Sequence, residues 1–277
     1  MPTLLHPDEL DRIARSPGWR RGRVEVIDTH LGKVVVKGQR PPRHPARYRL
    51  LNALARVLGN PFIKAAPMHG GAQAQAVEVA RLRALRATGA RVPEVLHVAP
   101  DHFVMQWLGD EHLGTLLQAR HPCAGALWRE GGRALVRVHA SGGYLSQGFA
   151  RNMIVDATAT PPRLAGLIDF EDDPIEVMRL PEAQARDWLA YLHSTVWTLD
   201  LPLSEIDGCL DDWMAAEHAE VREQFLRACG QLAWLRHLPG SRRFGRDTMA
   251  LQSASAAAHR YAARHAPAPI GTRKISD

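Results

Sequence analysis

Asn152 and Asp169 stand at matching ends of two short apolar runs, Met153 to Val155 and Leu164 to Ile168. Pairing those runs as a hairpin brings both oxygen-bearing side chains to one end of a two-stranded ribbon. Two hard oxygen ligands there suit Mg²⁺, which takes one or two protein ligands and completes its shell with water and nucleotide phosphates. A third candidate is Lys37, which ends the run Val34-Val35-Val36. A lysine closing a buried strand is costly unless it meets an anion; the plainer reading, that the strand surfaces there, stays open. Beyond Asp169 follow Glu171, Asp172 and Asp173, giving four carboxylates in five residues. A divalent metal or a basic neighbour would relieve their repulsion, and a solvated acidic turn before Pro174 reads equally well.

The elements that must place these groups are legible as patterns. Residues 3 to 15 predict a short helix, with Thr3 or Asp8 as cap and Pro17-Gly18 as breaker. Arg23 to Gly38 alternates and then turns apolar, a hairpin whose second strand is buried on both sides up to Lys37. Pro-rich turns lead into an amphipathic helix from about Ala46 to Leu58, ended by Gly59-Asn60-Pro61. After a Gly-rich loop at His69 to Ala72, a second helix places Val77, Leu82 and Leu85 on one side and closes at Gly89. Glu78 lies in its first half and, taken alone, reads as an exposed helix charge. Strands follow at Val95 to Val98 and Phe103 to Trp107.

From Asp110 the chain turns helical. Helices are expected at His112 to Gln118 and at Cys123 to Ala140, whose end carries His139. A further helix runs from about Pro181 to Leu199, with Asp187 set among Trp188, Leu189 and Leu192. Three more follow at about 203 to 214, 216 to 235 and 244 to 263, and the Pro/Gly-rich stretch 265–277 predicts disorder.

Composition bounds the function. The 277 residues suffice for one large domain or two modest ones sharing a cleft. Hydrophobic content of 45% and charged content of 23% are those of a soluble globular chain. No apolar run is long enough to span a bilayer, and the N-terminal residues lack a signal-peptide layout. Three widely spaced cysteines make neither a disulfide framework nor a zinc site, which points to a reducing cytoplasm. The net charge of +6 favours an anionic partner: nucleotide, phosphorylated substrate or the surface of an anionic membrane. Nucleic acid is disfavoured, since no zinc finger, RNA-recognition signature or long basic block is present.

The order loop, Asn152, strand, turn, strand, Asp169-Phe170 resembles the catalytic segment of the protein-kinase-like superfamily, in which the Asn and the Asp hold the metal. The preceding order also resembles that superfamily: a strand ending in Lys37, a helix carrying Glu78, two strands and a linker. The extra helix, with Arg81 to Val95, is similar to the bacterial lipopolysaccharide-core and Kdo kinase branch. The resemblance spans about residues 23 to 200. It implies an α+β, two-lobed protein-kinase-like fold, with a small β-rich N-lobe and added helix (1–108) and a larger helical C-lobe (109–264).

It further implies ATP and Mg²⁺ as cofactors and phosphotransfer to a hydroxyl acceptor, either the sugar of a glycolipid or a protein, with peripheral contact at the inner membrane. In that scheme Lys37 grips the α/β phosphates and Glu78 orients Lys37. Asn152 and Asp169 hold the metal, and the backbone of Gln106, Trp107 and Leu108 takes the adenine. Asp187 holds the catalytic-loop backbone, and His139 is a buried histidine bonded to nearby backbone. Two departures matter. The loop Asp of the family is Gln147 here, and no G-x-G-x-x-G is present, so the phosphates fall to a shortened turn at Thr29 to Gly32, with Gly18 and Gly22 upstream. One of the extra carboxylates, Asp172 or Asp173, is a candidate stand-in for the base. The alternatives are a pseudokinase that binds nucleotide or a partner without transfer, and a transferase that moves AMP.

Overall fold

The computed structural model describes residues 5–41, 64, 69–146, 148–240 and 242–265. The expected helix at 46–58, the candidate cap Thr3, Gln147 and the stretch beyond His265 lie outside them.

The N-terminal hairpin forms as its alternation requires. Strand β1 (Val24–Thr29) pairs antiparallel with β2 (Gly32–Gly38), Val24 lying opposite Lys37. The turn is only His30-Leu31, and Gly32 at φ +90° takes the left-handed backbone that closes it. On its other edge β2 pairs with β4 (His102–Gln106), Phe103 opposite Lys37, and β4 pairs with β3 (Val95–Val98). The sheet order is therefore β1-β2-β4-β3. Because side chains alternate along a strand, Val34 and Val36 point to one face, where they pack with Ile13, Trp19 and Val104. Val35 and Lys37 point to the other.

Two helices cover the first face. Helix α1 (Pro7–Arg15) is capped at His6 rather than at Asp8, and the His6 N–H donates to Glu9. Pro17-Gly18 does not end helical structure. Pro17 opens a second helix, α2 (Pro17–Gly22), behind the N-cap Ser16, because proline at the first helical position has no N–H to waste. Trp19 lies so close over β2 that a Cβ at Gly38 would stand 2.9 Å from its ring.

Helix α3 (Gly71–Ala87) is built from strong helix formers and ends in a Schellman motif. Gly89, at φ +83°, donates to Arg86, and Ala90 donates to Leu85. Its apolar side joins Phe103 and Met105 in the main core, which continues through the helical part of the chain. A short β5 (Glu111–His112) precedes α4 (Leu113–Gln118) and α5 (Ala124–Ala140).

Strands β6 (Met153–Asp156) and β7 (Arg163–Leu167) make the expected ribbon, with Met153 opposite Leu167 and β5 on the free edge of β6. Helix α6 (Leu180–Thr195), α7 (Leu203–Ala216), α8 (Ala219–Leu232) and α9 (Arg246–His265) complete the chain. Helix α9 carries His265 into its last turn, two residues past the expected end. The architecture is thus mixed α+β, a small antiparallel sheet with a largely helical part. Among the described residues no helix is long and apolar enough to cross a membrane.

Candidate functional site

Lys37 does not surface. It is 6% exposed, and its ammonium meets Glu78 at 2.7 Å, Glu171 at 2.6 Å and Asp169 at 3.6 Å. Burial alone would lower its pKa, but these three carboxylates outweigh burial and hold it above the ordinary lysine value. Glu78 is likewise no exposed helix charge. Its place among Ala74, Gln75, Val79 and Leu82 puts it on the buried side of α3, at 3% exposure.

The ribbon places Asn152 and Asp169 as the spacing requires. The Ile168 N–H donates to the Asn152 carbonyl at 2.9 Å, so Asn152 lies across from Ile168, the residue before Asp169. Both line a cleft of about 680 Å³ that also takes in Lys37. At Asp169 the backbone enters the left-handed region, φ +71°, which few non-glycine residues occupy. Around this corner Phe170 is fully buried, and Glu171 is buried beside Lys37.

Carboxylate oxygens of Glu78, Asp169 and Glu171 lie within 4.8 Å of one another. Only Asp169 keeps substantial access, at 35% for its side chain against 3% and 7% for the others. Of the three carboxylates, Asp169 is therefore the one best placed to hold a hard cation from the cleft, which Asn152 also lines.

The acidic turn is not solvated. Glu171 and Asp172 are both buried. Glu171 accepts from Lys37, from Arg23, and from Arg40 at 2.8 Å. Burial would raise its carboxyl pKa, but Lys37 and Arg23 reverse the sign and lower it. Asp173 caps the turn at Pro174–Glu176 and accepts from the Tyr144 hydroxyl at 2.6 Å.

Arg81, one turn beyond Glu78 on α3, ties the helix to both loops. Its guanidinium donates to the carbonyls of Asp172 (2.6 Å), Tyr144 (2.8 Å) and Phe170 (3.3 Å), and to the Ser146 hydroxyl. It also stacks over the Tyr144 ring at 4.2 Å.

Beneath the loop leading to position 147, Asp187 accepts from the Leu145 N–H at 2.5 Å, the backbone-holding contact expected of it. His139 is fully buried, but its ring partners are carboxylates rather than backbone: Glu217 at 2.6 Å and Asp187 at 3.4 Å. Burial opposes its charge, yet the two acids raise its pKa to about 9.

The apolar part of the cleft is lined by Val24, Val26, Val35 and Met105 from the sheet and by Ile154 and Ile168 from the ribbon. Gln106, Trp107 and Leu108 border it as expected. The Gln106 N–H, however, is spent on the Glu94 carbonyl at 2.8 Å, and its side-chain amide oxygen faces the Glu94 N–H. The Gln106 N–H is therefore closed to a ligand, and the linker's further N–H groups are those of Trp107 and Leu108. The turn expected over the phosphates is also elsewhere: Glu9 of α1 accepts from the His30 N–H and ring, and residues 29–32 do not line the cleft. The corner between α2 and β1 does, through Arg23.

Sequence patterns missed Arg23, Arg40 and Arg81. For Arg81 a signal existed, since an arginine falls between Glu78 and Leu82 on the buried stripe of α3. For Arg23 and Arg40 no local pattern distinguishes them from other surface arginines. Comparison with protein-family models found no match, and comparison with curated proteins found none either.

Proposed function

We propose that the protein is an ATP- and Mg²⁺-dependent phosphotransferase of two-lobed, protein-kinase-like layout, acting on a hydroxyl acceptor. The observation that carries this reading is the buried Lys37–Glu78 pair, 2.7 Å long, aimed at Asp169 on the end of the ribbon. A lysine held charged by a buried glutamate and directed into a cleft is suited to polyanion oxygens. Asp169 and Asn152 would hold Mg²⁺, which supplies charge neutralisation between the phosphates. The apolar slot has the size of a small-molecule site, and Trp107 and Leu108 would take the adenine edge.

The acceptor hydroxyl would approach at Gln147, which can orient it but not deprotonate it. Phosphoryl transfer relies chiefly on positioning and electrostatics, and a missing base typically costs about 10² to 10⁴ in rate. A slow enzyme is the expected consequence. The basic net charge fits a phosphorylated or membrane-associated glycolipid acceptor, with protein hydroxyls the alternative.

A second reading, a pseudokinase that binds nucleotide or a partner without transfer, is favoured by Glu171, which occupies the lysine that phosphates would need. Calorimetric titration of ATP with and without Mg²⁺, on the wild type and on Asp169→Asn, separates the two. Binding that requires Mg²⁺ and is lost in the variant supports the phosphotransferase. Binding indifferent to both supports the pseudokinase, and no binding in any condition removes both nucleotide readings.

A further inference from the structure

Three cations converge on one carboxylate. Lys37 donates to Glu171 Oε1 at 2.6 Å, Arg23 donates to the same oxygen, and Arg40 donates to Oε2 at 2.8 Å. Glu78 and Asp169 also face Lys37, so the corner sets three cations against three carboxylates; with Glu171 swung away, Arg23, Lys37 and Arg40 would share only two acids, and Arg23 and Lys37 line the cleft itself. Their positions are built in. The Arg23 carbonyl accepts from the Gly38 N–H at 2.7 Å, which fastens Arg23 beside Lys37. The Arg40 carbonyl accepts from the Gly71 N–H at 2.7 Å, which fastens Arg40 to the start of α3. Arg23 Nε is buried and has no hydrogen-bond partner among the described residues. A carboxylate offers two oxygens to this corner, fewer than its donors can use. A phosphate offers three, and the guanidinium fork matches phosphate geometry.

We propose that Arg23, Lys37 and Arg40 form a polyphosphate-binding corner, and that Glu171 is an internal carboxylate ligand which an incoming polyphosphate displaces. The identity of that anion as a nucleoside triphosphate rests on the function proposed above; the corner itself would take any polyphosphate. Occupation by Glu171 lowers apparent affinity, because binding draws only on the fraction of molecules in which Glu171 has swung away. No covalent step is involved. The corner also supplies what the absent Gly-rich loop would have supplied, with side-chain guanidinium groups in place of backbone N–H groups.

The test is calorimetric titration of tripolyphosphate, ATP and adenosine, each with and without Mg²⁺, into the wild type, Glu171→Gln, Arg23→Gln and Arg40→Gln, with folding checked by thermal melting. Glu171→Gln is expected to tighten tripolyphosphate and ATP about tenfold, and each arginine substitution to weaken both about tenfold; adenosine is expected to bind all four proteins alike. If Glu171→Gln fails to fold, Glu171→Asp, which keeps the charge but shortens its reach, takes its place with the same expected tightening.

The corner is refuted if tripolyphosphate binds neither the wild type nor the Glu171 variant, or if the Glu171 variant leaves its affinity unchanged. Loss of ATP affinity in that variant only when Mg²⁺ is present would assign Glu171 to the metal instead. Tripolyphosphate binding with the expected pattern, but no binding of adenosine and no advantage for ATP, would keep the corner and sink the nucleotide reading. ATP binding that ignores all three substitutions would do the reverse.

Discussion

The ammonium of Lys37 lies as close to Glu171, at 2.6 Å, as to Glu78, at 2.7 Å. The two acids come from different elements, Glu78 from α3 and Glu171 from beyond the end of β7. Lys37 therefore fastens the sheet to the helix and to the turn after Asp169 at one atom, and its charge serves stability as well as any ligand.

Lys37→Met should consequently destabilise the fold. Without the ammonium, Glu78, Glu171 and Asp169 face one another with only Arg23 and Arg40 to offset them. Removing one partner of a buried ion pair costs about 3–5 kcal/mol. Adding Glu171→Gln to Lys37→Met should recover part of that loss, since one of the crowded charges is gone. Urea denaturation of the single and double variants gives the coupling directly; a double variant less stable than Lys37→Met alone would contradict the shared-charge account.

Arg81→Met removes the donors that satisfy three carbonyls at once, those of Phe170 and Asp172 buried and that of Tyr144 partly so, while keeping much of the side-chain volume. Each buried acceptor left unmet costs about 1–3 kcal/mol before relaxation. The net effect should be a loss of several kcal/mol and faster proteolysis or hydrogen exchange in residues 144–146 and 170–173. Unchanged exchange there would show that the loops hold without the clamp.

His139 sets a pH dependence. Its pKa in the folded protein is about 9, above the ordinary histidine value of about 6.5 in the unfolded chain. A group with a raised folded pKa contributes stability that is complete below the unfolded value and is lost as pH rises through the folded one. Stability should therefore decline between about pH 6.5 and pH 9, by something on the order of 3 kcal/mol from this group. His139→Gln should be less stable at pH 6 and show a flatter profile over that window. Parallel profiles for the two proteins would mean that His139 is not charged in the fold.

Gly166→Ala tests the seat of the ribbon under the α3 exit. A Cβ there would stand 2.7 Å from the Arg91 carbonyl and 2.7 Å from Leu108 Cδ1. The carbonyl cannot move cheaply, because it accepts the Leu167 N–H at 2.9 Å. Overpacking of this kind costs about 1–3 kcal/mol. A drop in melting temperature together with weaker ATP binding is expected, because Leu108 borders the cleft.

Sequence by itself determined most of the elements and several residues of the candidate site. The alternation of Val24 to Thr29, the apolar runs around Asn152 and Asp169 and the helix carrying Glu78 are local patterns, and period and turn chemistry act within a few residues. That locality made the ribbon legible, and with it the placing of Asn152 and Asp169 at one end of it. Asp187 was legible as well, as a lone acid inside an apolar helix face.

Only the tertiary structure decided who neutralises Glu171. Arg23 and Arg40 lie 148 and 131 residues away from it, and no short-range rule links positions so far apart. The same holds for His139, whose partner Glu217 caps the C-terminal end of α7, 78 residues on. The spent N–H of Gln106 was hidden for a related reason, since strand register, rather than residue type, decides which backbone groups the ladder consumes. Charge pairing across a fold depends on which surfaces the core brings together, and that is a property of the packed chain rather than of any stretch of it.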